Sequence, residues 1–179
     1  MTRKLSRREF AVLSIMVPSL WVDQPRTIEA AGGTESAAAF VNPLIGASTS
    51  QALGEGKTFP GPATPFGMVQ LGPDTITGGD NAPGYSYEHK TIEGFSFTRM
   101  SGVGWYGDFG NLQIMPTVGP MKLAAGRESH AGEGWRSRFR HETEQARINY
   151  YTVDLDDYGI RAELTAARRA GMLRFTFPE

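Results

Sequence analysis

Between Tyr151 and Phe177 the chain alternates apolar and polar residues with a period of two, three times over. Tyr151, Val153 and Leu155 share one face of a first run, Ile160, Ala162 and Leu164 a face of the second, and Leu173, Phe175 and Phe177 a face of the third. Side chains alternate across a strand, so this pattern predicts three strands with one buried face. Asp156-Asp157-Tyr158-Gly159 supplies a turn between the first two, with glycine at the position that favours a left-handed conformation. Ala170-Gly171 lies in the connection before the third. Strands so closely spaced, with turn signals between them, specify an antiparallel sheet.

Upstream the same period recurs in shorter runs. Phe66 to Leu71 reads as a strand, and so does Ile92 to Thr98, with Ile92, Gly94 and Ser96 on one face and Phe95 and Phe97 on the other. Leu112 to Val118 is a third, broken by Pro116. Trp135 to His141 is a fourth, with Arg136, Arg138 and Arg140 outward and Phe139 inward. Glu142 to Ile148 reads as a turn of helix or an irregular loop. No long helical period and no internal repeat follows Phe40, so the expected fold class is all-β, an antiparallel β-sandwich or barrel.

Gly54 to Asp74, GEGKTFPGPATPFGMVQLGPD, holds four prolines and five glycines. Proline fixes φ and glycine permits angles other residues avoid, so this stretch is a stiff, irregular loop of the kind that shapes a site or an interface.

The 179 residues suffice for one domain, and 40% hydrophobic content suffices for a core. A formal net charge of −1 gives no sign of a nucleic acid or anionic membrane partner. The absence of cysteine excludes disulfides, thiolate metal sites and a cysteine nucleophile. The N-terminus has its own organisation. A basic MTRKLSRREF precedes an apolar run from Phe10 to Val22, too short to span a bilayer. Basic region, apolar run and small residues come in the order of a secretory signal, and Ser6-Arg7-Arg8-Glu9-Phe10 resembles a twin-arginine export signal. The expected division is a signal at 1–31, a linker at 32–39 and a domain at 40–179. The location that follows is periplasmic or secreted, the alternative being a frayed basic arm on a cytoplasmic protein.

Several short matches to catalytic motifs fail their structural context. Gly102-Val103-Gly104-Trp105-Tyr106-Gly107 fits GxGxxG, but no helix opens after it to receive a pyrophosphate. Asp108-Phe109-Gly110 matches a kinase string without the other kinase elements. His141-Glu142 begins like HExxH, yet position 145 is Gln145. His89, His130 and His141 are too scattered to argue a metal site, and Asp156-Asp157 reads as turn chemistry. No catalytic residue and no metal ligand is assigned.

A cluster of aromatics among glycines remains: Tyr85, Tyr87, Phe95, Phe97, Trp105 and Tyr106. Core packing accounts for Phe95 or Phe97. Trp105 stands in a glycine-rich loop, where it serves equally as a platform for a sugar ring or as a cover for its own sandwich. Asp108 is placed to take sugar hydroxyls in the first case.

A set of ordered motifs carries a resemblance over about residues 40–178. They are Val41-Asn42-Pro43-Leu44-Ile45-Gly46, Thr58-Phe59-Pro60-Gly61-Pro62 and Pro65-Phe66-Gly67-Met68-Val69-Gln70-Leu71. Pro73-Asp74, Gly84-Tyr85-Ser86-Tyr87, Gly94-Phe95-Ser96 and Ser101-Gly102-Val103-Gly104-Trp105 with Asp108 follow. Met115-Pro116-Thr117, Tyr150-Tyr151, Leu155-Asp156-Asp157-Tyr158-Gly159-Ile160 and Ala162-Glu163-Leu164-Thr165-Ala166 complete the series. The sequence resembles the N-terminal domain of glycoside hydrolase family 92, the calcium-dependent exo-acting α-mannosidases.

The resemblance implies a supersandwich-like, galactose-mutarotase-like β-sandwich that packs on a larger helical domain, with the active site between them. It implies an inverting hydrolase in which one carboxyl protonates the leaving oxygen and another activates water. Those carboxylates and the calcium ligands belong mostly to the helical domain, so this chain is expected to bind no cofactor itself and to lack catalysis alone. Its partners would be mannose-containing glycans, in N-glycans or mannans, and the missing C-terminal domain. By motif, Trp105 corresponds to an aromatic that contacts the sugar next to the cleaved mannose, and the Thr58–Pro65 loop approaches the same cleft. The substrate-binding candidates are therefore Trp105, Asp108, Phe59 and Gly61. Two departures bear on linkage preference: Phe97 and Arg99 stand where family members usually carry histidines, and Asn111 where an acidic residue is common. The end at Phe177-Pro178-Glu179, directly after a patterned strand, reads as a sandwich broken off from something longer. A stand-alone carbohydrate-binding module and an inactive truncated product are the alternatives.

Overall fold

The computed structural model describes residues 36–50, 52, 56–75, 83–101, 112–130 and 132–179. The stretch expected to be an export signal, 1–31, lies outside the described residues, as do Trp105, Tyr106, Asp108 and Asn111. The described chain is nearly all-β and every strand pairing is antiparallel. After a single 3-10 turn at Ala37–Phe40 come β1 (Gly72–Asp74), β2 (Thr91–Ile92), β3 (Gly94–Ser96) and β4 (Ser137–Arg138). Then follow β5 (Gln145–Arg147), β6 (Tyr150–Leu155), β7 (Ile160–Ala166) and β8 (Gly171–Thr176).

The last four strands form one sheet in chain order, β5-β6-β7-β8. Its pleat follows the sequence period. Tyr151, Val153, Leu155, Ile160, Ala162 and Leu164 are buried on one face, and Leu173 and Phe175 of β8 pack against them. Phe177 falls beyond β8 and is half exposed. On the other face, partners directly opposite each other carry opposite charge. Asp154 faces Arg161 and Glu163 faces Arg174, with N–O distances of 2.7 and 2.6 Å. Gly159 closes the β6–β7 turn with φ 62°, as its sequence position requires.

The second layer consists of two short pairs, β1 with β3 and β2 with β4. Leu71, Ile92, Phe95 and Phe139 bring it into the common core, and the Phe95 and Phe175 rings meet across the layers at 5.9 Å. Leu71 lies so close to β8 that a Cβ at Gly171 would fall 2.1 Å from Leu71 Cδ1. This packing is that of a β-sandwich.

Four segments differ from the periodicity. Phe66 to Leu71 is not a strand: Phe66 adopts φ 54° in a turn where Gly67 N donates to Thr64 O, and only the bridge between Ala63 and Gln70 remains. The ring of Phe66 is 96% exposed. Ile92 to Thr98 splits at Glu93, whose N–H donates to Asp74 O at 2.7 Å. Pairing shifts there from β4 to β1, so Ile92 and Phe95 both reach the core although an odd separation places them on opposite faces of a regular strand. Leu112 to Val118 contributes one bridge, Ile114 to Phe95, after Leu112 at φ 56°. Conversely, Gln145–Arg147 within the segment read as helix or loop is strand β5, joined to β6 through Ile148 and Asn149. Asn149 takes φ 59°, which asparagine tolerates better than most residues.

Candidate functional site

The proline- and glycine-rich loop is held from beneath by one buried side chain. Arg99 is 6% exposed and donates to carbonyls of four residues. Nη2 reaches Gly72 O at 2.6 Å, Nη1 reaches Pro83 O at 2.7 Å and Pro73 O at 3.0 Å, and Nε reaches Gln70 O at 3.3 Å. Nη2 also donates to Ser96 Oγ and pairs with Asp74 Oδ1 at 2.8 Å. A planar guanidinium is suited to this task because its donors diverge in fixed directions.

Asp74 takes further donors from Ser96 Oγ at 2.8 Å and Gln113 Nε2 at 3.0 Å. Burial raises the Asp74 carboxyl above its ordinary pKa, against the opposing pull of Arg99, and the same burial lowers the Arg99 guanidinium. Desolvation thus outweighs mutual attraction for each partner, so the pair fixes geometry more than it adds stability.

Phe59 lies over this clamp, its ring centroid 5.2 Å from the Arg99 guanidinium carbon. Thr58 Oγ1 donates to Ile45 O and Thr58 N to Gly46 O, tying the loop to residues 45–46. Gly61 crosses the strand entry so closely that a Cβ there would stand 1.8 Å from Leu71 O. A backbone requirement therefore accounts for this glycine. Beside the clamp a recess of about 100 Å³ is lined by Met68, Gln70, Phe97, Thr98 and Arg99. The structure thus brings Phe59, Gly61, Phe97 and Arg99 into one region, while Trp105 and Asp108 are outside the described residues.

A second buried network was not apparent from the sequence. Glu144 accepts hydrogen bonds from Tyr85 Oη at 2.9 Å and Tyr151 Oη at 2.7 Å, and its Oε2 lies 2.6 Å from His141 Nδ1. Burial, and then the Glu144 charge, pushes both phenols up, so they remain O–H donors. Tyr85 is therefore a core residue, whereas Tyr87 is 40% exposed. Arg136, expected to point outward, is 8% exposed and donates from Nη2 to Glu93 Oε2 at 2.6 Å and from Nη1 to Thr75 O at 2.7 Å. Arginine in an alternating run takes the inner face when a buried carboxylate waits there. Asp156 and Asp157 accept from Arg140 and Arg138, as befits turn residues.

Residues 40–179 match the profile of the glycosyl hydrolase family 92 N-terminal domain. The chain belongs to that family. A family 92 α-mannosidase from Bacteroides thetaiotaomicron superposes with TM-score 0.76 at 44% identity, covering 83% of this chain and 19% of that one. A structure of that enzyme with mannoimidazole gives TM-score 0.74 at 43% identity, over 79% and 18% of the two chains. A family 92 inverting mannosidase from the same organism gives 0.66 at 28% identity, over 82% and 19%. An uncharacterized secreted glycosidase of Arthroderma benhamiae is 28% identical over 143 residues, 78% of this chain and 17% of its own length. The chain therefore spans about a fifth of the length of these family 92 relatives.

Calcium is the cofactor that the family resemblance implied. Among the described residues no three His, Asp or Glu side chains converge as a cation site. The clustered carboxylates are engaged by arginines, as Asp154 is by Arg161 and Glu163 by Arg174. The described residues do not fit a calcium ion.

Proposed function

We propose that residues 40–179 are the substrate-facing domain of an exported α-mannosidase that hydrolyses terminal α-mannosides of N-glycans or mannans. Residues 1–31 serve as a twin-arginine-like export signal and 32–39 as a linker. The observation that carries the reading is 44% identity, with a shared fold, to a family 92 α-mannosidase. The mannoimidazole complex of that relative supports a mannose-shaped ligand, and the secreted relative supports export.

In this reading Trp105 and Asp108 contact the sugar next to the cleaved mannose, and Phe59 and Gly61 form the adjoining rim. Arg99 holds that rim rigid from below, which spares the loop an ordering cost when a glycan arrives. The acid and base carboxylates and the calcium ion belong to polypeptide outside this domain, and inversion follows from their placement across the glycosidic bond.

The test is direct. Purified 1–179, free of host mannosidase, is expected to release no mannose from α-1,2-mannobiose. Turnover above a buffer blank would overturn the assignment of chemistry to the rest of the enzyme.

A further inference from the structure

Ser86 to His89 forms a turn, with His89 N donating to Ser86 O at 3.1 Å, and its two corner residues are Tyr87 and Glu88. Both are exposed and both are unusually well fixed. The Tyr87 ring stacks on His141 with centroids 4.0 Å apart and planes 12° from parallel. His141 in turn meets Phe139 of the core edge-on at 5.2 Å. Its Nδ1 faces Glu144 Oε2, and its Nε2 lies 2.8 Å from the Tyr87 carbonyl. Tyr87 N donates to Ala47 O at 3.0 Å. A column of three rings therefore runs from the core to the surface and ends in an aromatic ring locked at both its backbone and one face.

Glu88 is held as firmly. Ser48 Oγ donates to Oε1, while Ser86 Oγ, at 2.6 Å, and Thr49 N, at 3.3 Å, donate to Oε2. Thr49 Oγ1 lies 2.7 Å from Ser86 Oγ. Burial is the largest single influence and opposes ionisation, but these donors together outweigh it and hold the carboxyl down at about 2, so it is an anion at neutral pH. The turn thus sets an exposed aromatic on a rigid stack beside an oriented carboxylate and hydroxyls. Pyranoses present an apolar C–H face to a ring and hydroxyls to a carboxylate, and pre-ordered groups lose little freedom on binding.

We propose that the Ser86–His89 turn is a carbohydrate-binding platform, with Tyr87 taking the apolar face of a pyranose and Glu88 and Thr49 its hydroxyls. The platform is built from Thr49, Tyr87 and Glu88 without recourse to Trp105, so it is tested apart from the function proposed above.

The experiment is a heteronuclear NMR titration of the full chain with methyl α-mannopyranoside, to about 100 mM because one aromatic contact gives millimolar affinity. Shift changes are expected at residues 48–49 and 86–89. Tyr87→Ala weakens binding about tenfold by removing the ring contact. Glu88→Ala and Thr49→Val leave the ring column intact and weaken it about fivefold each through lost hydrogen bonds. Trp105→Ala leaves these shifts in place. Absence of binding, shifts confined elsewhere, or unchanged affinity in both Glu88→Ala and Thr49→Val would overturn the platform. Binding lost in Trp105→Ala alone would overturn it too, and would leave the proposed function standing.

Discussion

Arg99 Nη2 lies 2.8 Å from Asp74 Oδ1, and the two side chains retain only 1% and 2% of their surface. The pair joins β1, at the end of the rigid loop, to the segment that follows β3, so the shape of the loop depends on the Arg99 side chain. Arg99→Ala leaves the Asp74 carboxylate buried without its counter-ion. A loss of about 3–5 kcal/mol is expected in urea unfolding. Arg99→Lys is not expected to restore it, because an ammonium cannot reach the carbonyls of Gly72, Pro73 and Pro83 together. A lysine variant as stable as the parent would contradict the clamp.

Gly61 and Phe59 are neighbours in the loop with separable roles. A methyl at Gly61 meets the backbone oxygen of Leu71, which cannot swing aside, so Gly61→Ala should cost about 3 kcal/mol. Phe59→Ala removes the ring's contact with the Arg99 guanidinium and should cost about 1 kcal/mol. Thermal or urea denaturation of the two variants checks the order. The reverse order would mean that the ring, and not the backbone crossing, sets the loop.

Leu164 is 1% exposed at the centre of the four-stranded sheet. Leu164→Ala is expected to destabilise the domain by about 2–5 kcal/mol, read from the urea midpoint. An effect under about 1 kcal/mol would show that the sheet face is loosely packed.

Acid should loosen the outer face of the same sheet. Hydrogen bonds from Arg174 first, and then Tyr150, hold the Glu163 carboxyl down at about 2, below its ordinary value of 4.5. Between those values the unfolded chain binds more protons than the folded one, so this contribution to stability is complete above about pH 4.5 and is lost as pH falls toward 2. Unfolding midpoints measured across that range should fall less steeply in Glu163→Gln than in the parent. Identical slopes would contradict the pairing.

The β6–β7–β8 sheet was legible because period-two alternation and Gly159 are local signals that tertiary structure did not override. Phe66 to Leu71 has the composition of a strand, yet Pro65 and Gly67 flank a left-handed Phe66, and the stretch spends its backbone on a turn and the carbonyl of Arg168. Strand β5 was missed because its three residues, with only Ala146 turned toward the core, are too short a run to establish a period and gain their place from β6. At the candidate site, the loop was legible in its prolines and glycines, and Arg99 in its departure from the family pattern. Its partners were not, since Gly72, Asp74 and Pro83 reach it from segments 16 to 27 positions away. The same holds for Tyr85, Tyr151 and Glu144, which are joined across 59 and 7 positions of sequence.

The most direct test of the account joins this domain to catalytic machinery. Residues 40–179 would replace the equivalent domain of the Bacteroides thetaiotaomicron α-mannosidase that is 44% identical to it, and kcat/KM on α-1,2-mannobiose would be measured in folded chimeras. The chimera is expected to release mannose and Trp105→Ala to lose at least about tenfold in kcat/KM, since one aromatic contact to the adjoining sugar accounts for that factor. An active chimera whose kcat/KM is indifferent to Trp105→Ala and Phe59→Ala would contradict a substrate-facing role for this domain.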